Sequence, residues 1–559
     1  EIIMKKLLSI ALVLIMTLSV FSVTASAEAI VMTEYYDMEM NDIYYSLYED
    51  EEIVEAYVVG YEANLDNIAP AGALTIPETV TYKGNKYTVT GIETGAFYQS
   101  LFTSIILPST IAYIGDTAFM ASDYLEMVNI PDDCYFTYFG ESVFVGTPFE
   151  AEIYSKDETI FGENVLYSYI GNADEYVIPE KINILANNCF FMSGVKNVVI
   201  NENITVIPYY AFASCRNLTS IDIPDSVEFV HEGAFKDCTN LETVTLGENI
   251  YSLGVDCLAN TKIKSIHLGP NVAYITGAFN SCNALETIII DSANEMLSTD
   301  GNAVYSDLSG LIDMDLGATG YLLEYYLPSK TPAQLVLDNK IMGIGAYAFY
   351  NNKNIKSVTG QNLVLVDGYA FANSSIEEFD SGLLMYVWAN AFRNCSQLKS
   401  IDLHNVFVIE DGAFQNCTSL TEVTFNDTIS YIGCQAFENT GLTDVVIYGD
   451  DCYIYEGAFK NCKKLERVRL EEGVSYVGMN AFLNCPELKT IYLSKTVKYF
   501  EDNAFNGCDN VTFELIKNSK AHKYIKNYIE YADLIVAGGG KNAKIMQKSE
   551  AKTQIAANS

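Results

Sequence analysis

The sequence predicts a repeat solenoid. It should be a mostly-β and irregular chain of short parallel strands, stacked coil upon coil as an arc or horseshoe and closed by small caps at both ends. Three observations predict it. A phrase of small residue, Ala and Phe recurs at Phe97, Phe119, Phe212, Phe235, Phe279, Phe349, Phe371, Phe392, Phe414, Phe437, Phe459, Phe482 and Phe505. Neighbouring copies commonly lie about 22–23 residues apart, a period of stacked supersecondary units that cannot bury their apolar face alone. Between the Phe positions, short runs alternate apolar and polar, the period-2 signature of a strand with one face inward.

One coil can be read from Cys215 to Phe235. Ile221 and Ile223 share one side of a short strand, and Ser220 and Asp222 the other. Pro224 ends that run because it has no N–H to donate, and Asp225 and Ser226 supply turn chemistry. Val227 and Val230 begin a second extended run. Gly233 and Ala234 allow close backbone approach, and Phe235 fills the space between coils. The phrase is weaker around Cys257 and Leu258.

The chain divides accordingly. Residues 1–27 read as an export signal: Lys5 and Lys6 precede an apolar run from Leu7 to Val23, then Ala25-Ser26-Ala27 suits cleavage after Ala27, with Met4 as the start. An uncleaved anchor is the alternative. Residues 28–80 form a Tyr- and acid-rich N-terminal cap, and 81–290 carry repeats with a hairpin-like interruption at about 150–180. An insertion covers 291–340, repeats resume over 341–510, and 511–537 form a C-terminal cap helix with Ala521, Tyr524, Ile525 and Tyr528 at helical spacing. Residues 538–559 form a flexible basic tail with Lys541, Lys544, Lys548 and Lys552, able to meet an anionic cell wall by charge. No second run is long enough to span a bilayer, and no Leu-Pro-x-Thr-Gly-like sorting signal is found.

The segments "CRNLTSIDIPDSVEFVHEGAF", "CSQLKSIDLHNVFVIEDGAF" and "CTSLTEVTFNDTISYIGCQAF" carry a whole phrase that resembles the BspA-like leucine-rich-repeat family of bacterial cell-surface and secreted proteins. The resemblance covers most of the chain beyond residue 27. It implies a leucine-rich-repeat arc and a role in adhesion or protein binding, and family members carry hairpin-like insertions similar to 150–180 and 291–340.

Composition narrows the partners. A net charge of −39 disfavours nucleic acid and anionic lipid, and 49% hydrophobic residues fill a long core. The acid content reads as a solvated surface, without calcium-loop spacing. Of the 13 cysteines, Cys215, Cys238, Cys282, Cys395, Cys417, Cys462, Cys485 and Cys508 each follow a repeat Phe by three residues, so they should stack as a buried column of small apolar side chains and stay as free thiols. Cys134, Cys189, Cys257, Cys434 and Cys452 are out of that phase, and no Cys-x-x-Cys metal or redox spacing occurs.

Catalysis finds no support. His231, His267, His404 and His522 each fit a place in a repeat or cap, and no nucleophile elbow, zinc-protease helix or phosphate loop is present. No enzyme activity, cofactor or metal is expected. The outward positions of the main strands, such as Ser104 and Ile106, Ser220 and Asp222, or Arg467 and Arg469, are mostly small and polar. They lack a row of sugar-stacking rings. A different set stands six residues before the repeat Phe: Tyr113, Phe229, Tyr386, Tyr431, Tyr453, Tyr476 and Tyr499. By alternation these rings point outward, and Tyr431 to Tyr499 occupy four consecutive coils. They are the candidate binding surface, against the plainer reading that neighbouring rings merely pack with one another. The expected function is adhesion to a protein or cell-surface ligand by an exported bacterial protein. A carbohydrate- or mucin-binding scaffold is the alternative, and an envelope enzyme with a site in 291–340 comes third.

Overall fold

In the computed structural model the described residues are 36–40, 43–49, 54–61, 71–308, 320–449, 451–501, 503–508, 511–515, 519–521, 523, 534–537 and 543–547. The expected signal segment, Tyr524, Ile525, Tyr528 and His522 lie outside them. The chain divides into two compact units, residues 1–295 and 296–559. Each is a mostly-β parallel solenoid, and each coil carries two short strands joined by tight turns.

In the first unit, Met38–Met40, Ile43–Glu49 and Val54–Tyr61 form an antiparallel meander. Val54–Tyr61 then pairs in parallel with Asn85–Ile92, which passes the ladder to Tyr113–Ile114 and Tyr138–Phe139. The interruption after residue 150 is an antiparallel hairpin, Glu158–Phe161 with Val165–Tyr169. It is preceded by one short helix, Pro148–Ile153, whose N-cap Thr147 hydroxyl accepts from the Glu150 N–H at 3.1 Å. Beyond the hairpin the second-run strands regroup as Val206–Ile207, Phe229–Val230 and Ser252–Leu253.

The second unit is more continuous. Leu297–Thr299, Ala303–Asp307 and Tyr321–Tyr326 form an antiparallel meander within the expected insertion. Tyr321–Tyr326 then begins a parallel ladder that runs unbroken through Ile341–Ile344, Leu365–Val366, Tyr386–Val387, Val408–Ile409, Tyr431–Ile432, Cys452–Ile454 and Val474–Val477 to Tyr499–Phe500. Two segments differ from expectation. Thr512–Leu515, at the start of the expected cap helix, is a strand that pairs in parallel with Thr490–Leu493 in a separate sheet. Ala543–Gln547, in the expected tail, pairs antiparallel with it and with Leu534–Ala537. Helical backbone is present at Lys520 and Ala521, and Ala521 is buried against the core of this unit.

The Phe phrase builds a third ladder made of turns. Residues two before and two after the Phe take a left-handed backbone, as at Gly412 (φ 63) and Asn416 (φ 64) around Phe414. Gly and Asn tolerate that conformation best. The alternation aims successive N–H groups along the stack, so the Phe392 N–H donates to Ala413 O at 2.8 Å, and the Phe414 N–H to Ala436 O at 2.7 Å. Fully buried rings then stack coil on coil. Centroids are 5.3 Å apart for Phe392–Phe414, 5.1 Å for Phe414–Phe437 and 5.2 Å for Phe437–Phe459 and Phe459–Phe482. Burying each ring is worth roughly 1.5–3 kcal/mol.

The cysteine column lies behind it. None of the 13 cysteines is in a disulfide, and the eight in phase are buried. Each in-phase thiol donates to a main-chain carbonyl of the preceding coil, as Cys395 Sγ to Phe371 O at 3.0 Å and Cys417 Sγ to Phe392 O at 3.1 Å. Where Cys is absent, a small polar residue takes the site: Ser122 Oγ donates to Phe97 O at 2.8 Å. The column is therefore a hydrogen-bonding position, a role the reading of Cys as a small hydrophobe omits.

Candidate functional site

The second-run strands present one residue outward and the next inward, and the seven candidate aromatic residues occupy the outward position. They do not form one strip. In the first unit Tyr113 pairs with Tyr138 in register, and their rings stack at 5.0 Å. Phe229, 38% exposed, belongs to a separate three-stranded sheet, where its ring meets Tyr251 at 6.1 Å. In the second unit Tyr386 is offset from the main run because Val408 lies between it and Tyr431.

Tyr431, Tyr453, Tyr476 and Tyr499 are brought together. They pair successively in parallel register, Tyr431 with Tyr453, Tyr453 with Tyr476, and Tyr476 with Tyr499. Tyr453 is 38% and Tyr499 59% exposed, and Tyr431 and Tyr476 are half-buried. A fifth ring completes the set. Tyr455, two residues after Tyr453, lies 4.7 Å from the Tyr431 ring and 5.9 Å from that of Tyr476. Period-2 alternation puts both tyrosines of Tyr-Ile-Tyr on one side, which is the signal that would have found it.

Carboxylates flank these rings. Glu410, Gly433 and Tyr455 follow successive strands of the ladder, and Asp411 turns back over the glycine. Its Oδ1 accepts the Cys434 N–H at 2.6 Å, and a Cβ on Gly433 would lie 2.5 Å from that same oxygen. Burial, with the nearby Asp411 charge second, pushes the Tyr431 hydroxyl up. Burial also raises Tyr476, whose hydroxyl bonds Glu501. Glu410 is pushed up to about 7 by burial, and Asp367, two coils earlier, to about 6. Asp411 and Glu456 are exposed. Among the described residues neither of these, nor Glu410, forms an ion pair.

Other features offer less. An open groove of about 470 Å³ in the first unit is lined by the turns Thr75–Glu78 and Ile106–Ser109 with Pro131 and Asp133. His231 stands 4.5 Å from the Tyr209 ring, its pKa lowered by burial, and His267 Nε2 lies 3.9 Å from Asp291 Oδ2. Among the described residues no group of three or more His, Cys, Asp or Glu is placed to hold a metal ion. No helix of the described residues is long and apolar enough to cross a membrane.

The coil with two parallel strands, a Phe turn and a hydrogen-bonding residue three positions later defines a leucine-rich-repeat solenoid. More narrowly, the chain belongs to the BspA type leucine rich repeat family, whose model matches residues 90–219, 205–306, 329–407 and 385–512. No curated protein matches the chain. Among solved structures, a leucine-rich repeat protein from Bacteroides ovatus is 22% identical, over 86% of this chain and 100% of that one, with a TM-score of 0.28. A leucine rich cell surface protein from Faecalibacterium prausnitzii is 20% identical, over 90% and 100%, with a TM-score of 0.30. A leucine-rich repeat protein from Eubacterium ventriosum is 19% identical, over 63% and 92%, with a TM-score of 0.41.

Proposed function

We propose that this chain is an exported bacterial surface protein that binds a protein or cell-surface ligand, and that the tyrosine strip of the second unit is its adhesive face. Membership of a repeat family supports a binding scaffold, since a solenoid displays a long surface whose variable positions choose the ligand. The observation that carries the reading is the parallel register of Tyr431, Tyr453, Tyr476 and Tyr499 with partly exposed rings. Tyrosine gives large, rigid contact area at low entropic cost and is enriched in interface hot spots. The test is capture by the purified chain of extracellular-matrix proteins, glycans and intact bacterial cells in parallel. Saturable binding to a protein or cell, lost when the four tyrosines become Ser while circular dichroism is unchanged, is expected. Protein binding that persists in that variant removes the strip from the mechanism, and glycan-only binding moves the reading to a carbohydrate scaffold.

A further inference from the structure

We infer that the tyrosine strip is built for a cationic polypeptide segment, one that places Lys or Arg side chains over successive rings and against the carboxylates beside them. This rests on the strip being the binding face, and it names the chemistry of the partner.

The strip is an aromatic and anionic surface together. Tyr431, Tyr453, Tyr455 and Tyr476 present rings within 4.7–6.2 Å of one another, with exposed Asp411 and Glu456 and half-buried Glu410 beside them. Elsewhere in this unit some carboxylates are matched with lysine or arginine, and others, such as Glu378, Asp402 and Glu422, have no ion pair among the described residues. Glu377 meets Lys356 and Lys399, Glu438 meets Lys460, and Glu466 meets Lys489. The strip's Asp411, Glu410 and Glu456 have no such partner among the described residues. At its C-terminal end a cation is already seated: Lys520 Nζ lies 5.2 Å from the centroid of the Tyr499 ring. That contact is an internal example of the geometry proposed for the partner, an ammonium over an electron-rich face.

Shape and charge favour a polypeptide over a sugar. The rings are tilted to one another, at 31° for Tyr453–Tyr476 and 37° for Tyr431–Tyr455, so they form separate receptacles and not one flat stacking platform. A neutral glycan would meet the carboxylates only as hydrogen-bond acceptors and leave their charge unpaired, and an anionic one would be repelled by a chain of net charge −39. Strands stack about 4.8 Å apart, so equivalent positions two coils apart are separated by about 9.6 Å. A polyproline II segment rises about 3.1 Å per residue with three residues per turn, which brings every third side chain to one side about 9.3 Å apart. Cations at every third residue would therefore meet alternate coils.

The probe is a fluorescent peptide with Lys at every third of ten positions and Pro or Ala between, titrated into the purified full chain. A Gln-for-Lys peptide and a neutral oligosaccharide serve as controls. Saturable binding that weakens at least tenfold in the Asp411→Asn, Glu456→Gln variant, and again between 50 and 300 mM salt, is expected. Equal binding of the Gln peptide, or an unchanged affinity in that variant, overturns the inference. The proposed function is judged separately: if matrix-protein capture falls in the four-tyrosine variant and not in the carboxylate variant, the adhesive face stands and its cationic partner does not. A third variant changes Lys541, Lys544, Lys548 and Lys552 to Gln. Peptide binding that appears only there would show the chain's own basic segment to be the occupant, and would also overturn the proposal.

Discussion

The second unit carries two aromatic columns on the same coils, and they obey different rules. The Phe rings from Phe349 to Phe505 stack nearly face to face, with interplanar angles of 3–14° and centroids 5.0–5.5 Å apart. The tyrosines meet at 26–52° and 4.7–6.2 Å. The backbone accounts for the contrast. Around each Phe two left-handed residues, and a main-chain hydrogen bond to the next coil where one follows, fix the Cα–Cβ direction. The tyrosines stand on strands with solvent on one side, so side-chain torsions are free to tilt toward carboxylates and neighbours. Regular stacking marks the column that makes the fold. Irregular tilt marks the column that faces solvent.

The sharpest way to break this comparison is to delete one ring from the buried column. Phe414 is fully buried between Phe392 and Phe437, and Phe414→Ala should cost about 3–5 kcal/mol through lost burial and a residual cavity. In a solenoid each coil is held by its neighbours, so both of its interfaces weaken. Urea unfolding followed by circular dichroism should show an earlier transition for the second unit. A midpoint equal to that of the parent would show that the column does not hold the stack.

A middle-sized effect is expected from charge. Asp367 is 8% exposed and accepts the Gly368 N–H. Burial raises its pKa to about 6, so the folded state binds a proton that the unfolded chain, titrating near the usual Asp value, has already released. The sign follows: the contribution of Asp367 to stability is most favourable below about pH 4, falls as pH rises toward 6, and stays reduced above it. Asp367→Asn should therefore stabilise at pH 8 by on the order of 1–3 kcal/mol and change nothing at pH 4. Trp388, the single tryptophan, follows the intervening strand between those preceding Asp367 and Glu410. Its fluorescence during denaturation reads the effect locally. Equal gains at both pH values would refute an electrostatic origin.

A third effect, of about 1 kcal/mol, separates hydrogen bonding from packing in the cysteine column. Cys417→Ala removes the donor to Phe392 O, but that carbonyl also accepts the Cys395 N–H at 3.0 Å, which limits the loss. Cys417→Ser should cost less, since Ser122 already fills the equivalent site with the same bond. Thermal melts that rank Ser below Ala would contradict the assignment.

The periodic part of the molecule was legible because it is local. Phe spacing, cysteine phase and the outward position of Tyr431, Tyr453, Tyr476 and Tyr499 all follow from counting along one coil. Two repeat rings, Phe144 and Phe190, escaped the count because Val143 and Cys189 replace the usual Ala before the ring. Both nonetheless stack, Phe144 on Phe119 at 5.4 Å and Phe190 on Phe212 at 4.6 Å. Ser104, expected outward, is buried where its strand lies between Ala73 and Met127. The carboxylates of the strip were hidden for a different reason. Asp411 and Glu456 lie in turns, where alternation says nothing about direction, and the Cys434 N–H bond and the close approach at Gly433 show Asp411 turning back over the glycine. The pairing of Ala543–Gln547 joins segments far apart in sequence, which no period records.

The smallest expected effect tests the exposed column on the same scale as the buried one. Tyr453 and Tyr476 pair across adjacent strands with rings 5.6 Å apart, and a cross-strand aromatic pair contributes roughly 0.2–1 kcal/mol. A double-mutant cycle of Tyr453→Ser and Tyr476→Ser should give a coupling in that range, with single-mutant losses well under that of Phe414→Ala. If the coupling instead reached several kcal/mol, these rings would be part of what holds the stack, and any loss of binding in the tyrosine variants would have to be assigned to unfolding. If it were near zero while ligand capture still fell, the rings would be spending little of their contact energy on each other, which leaves the strip's exposed faces free for a partner.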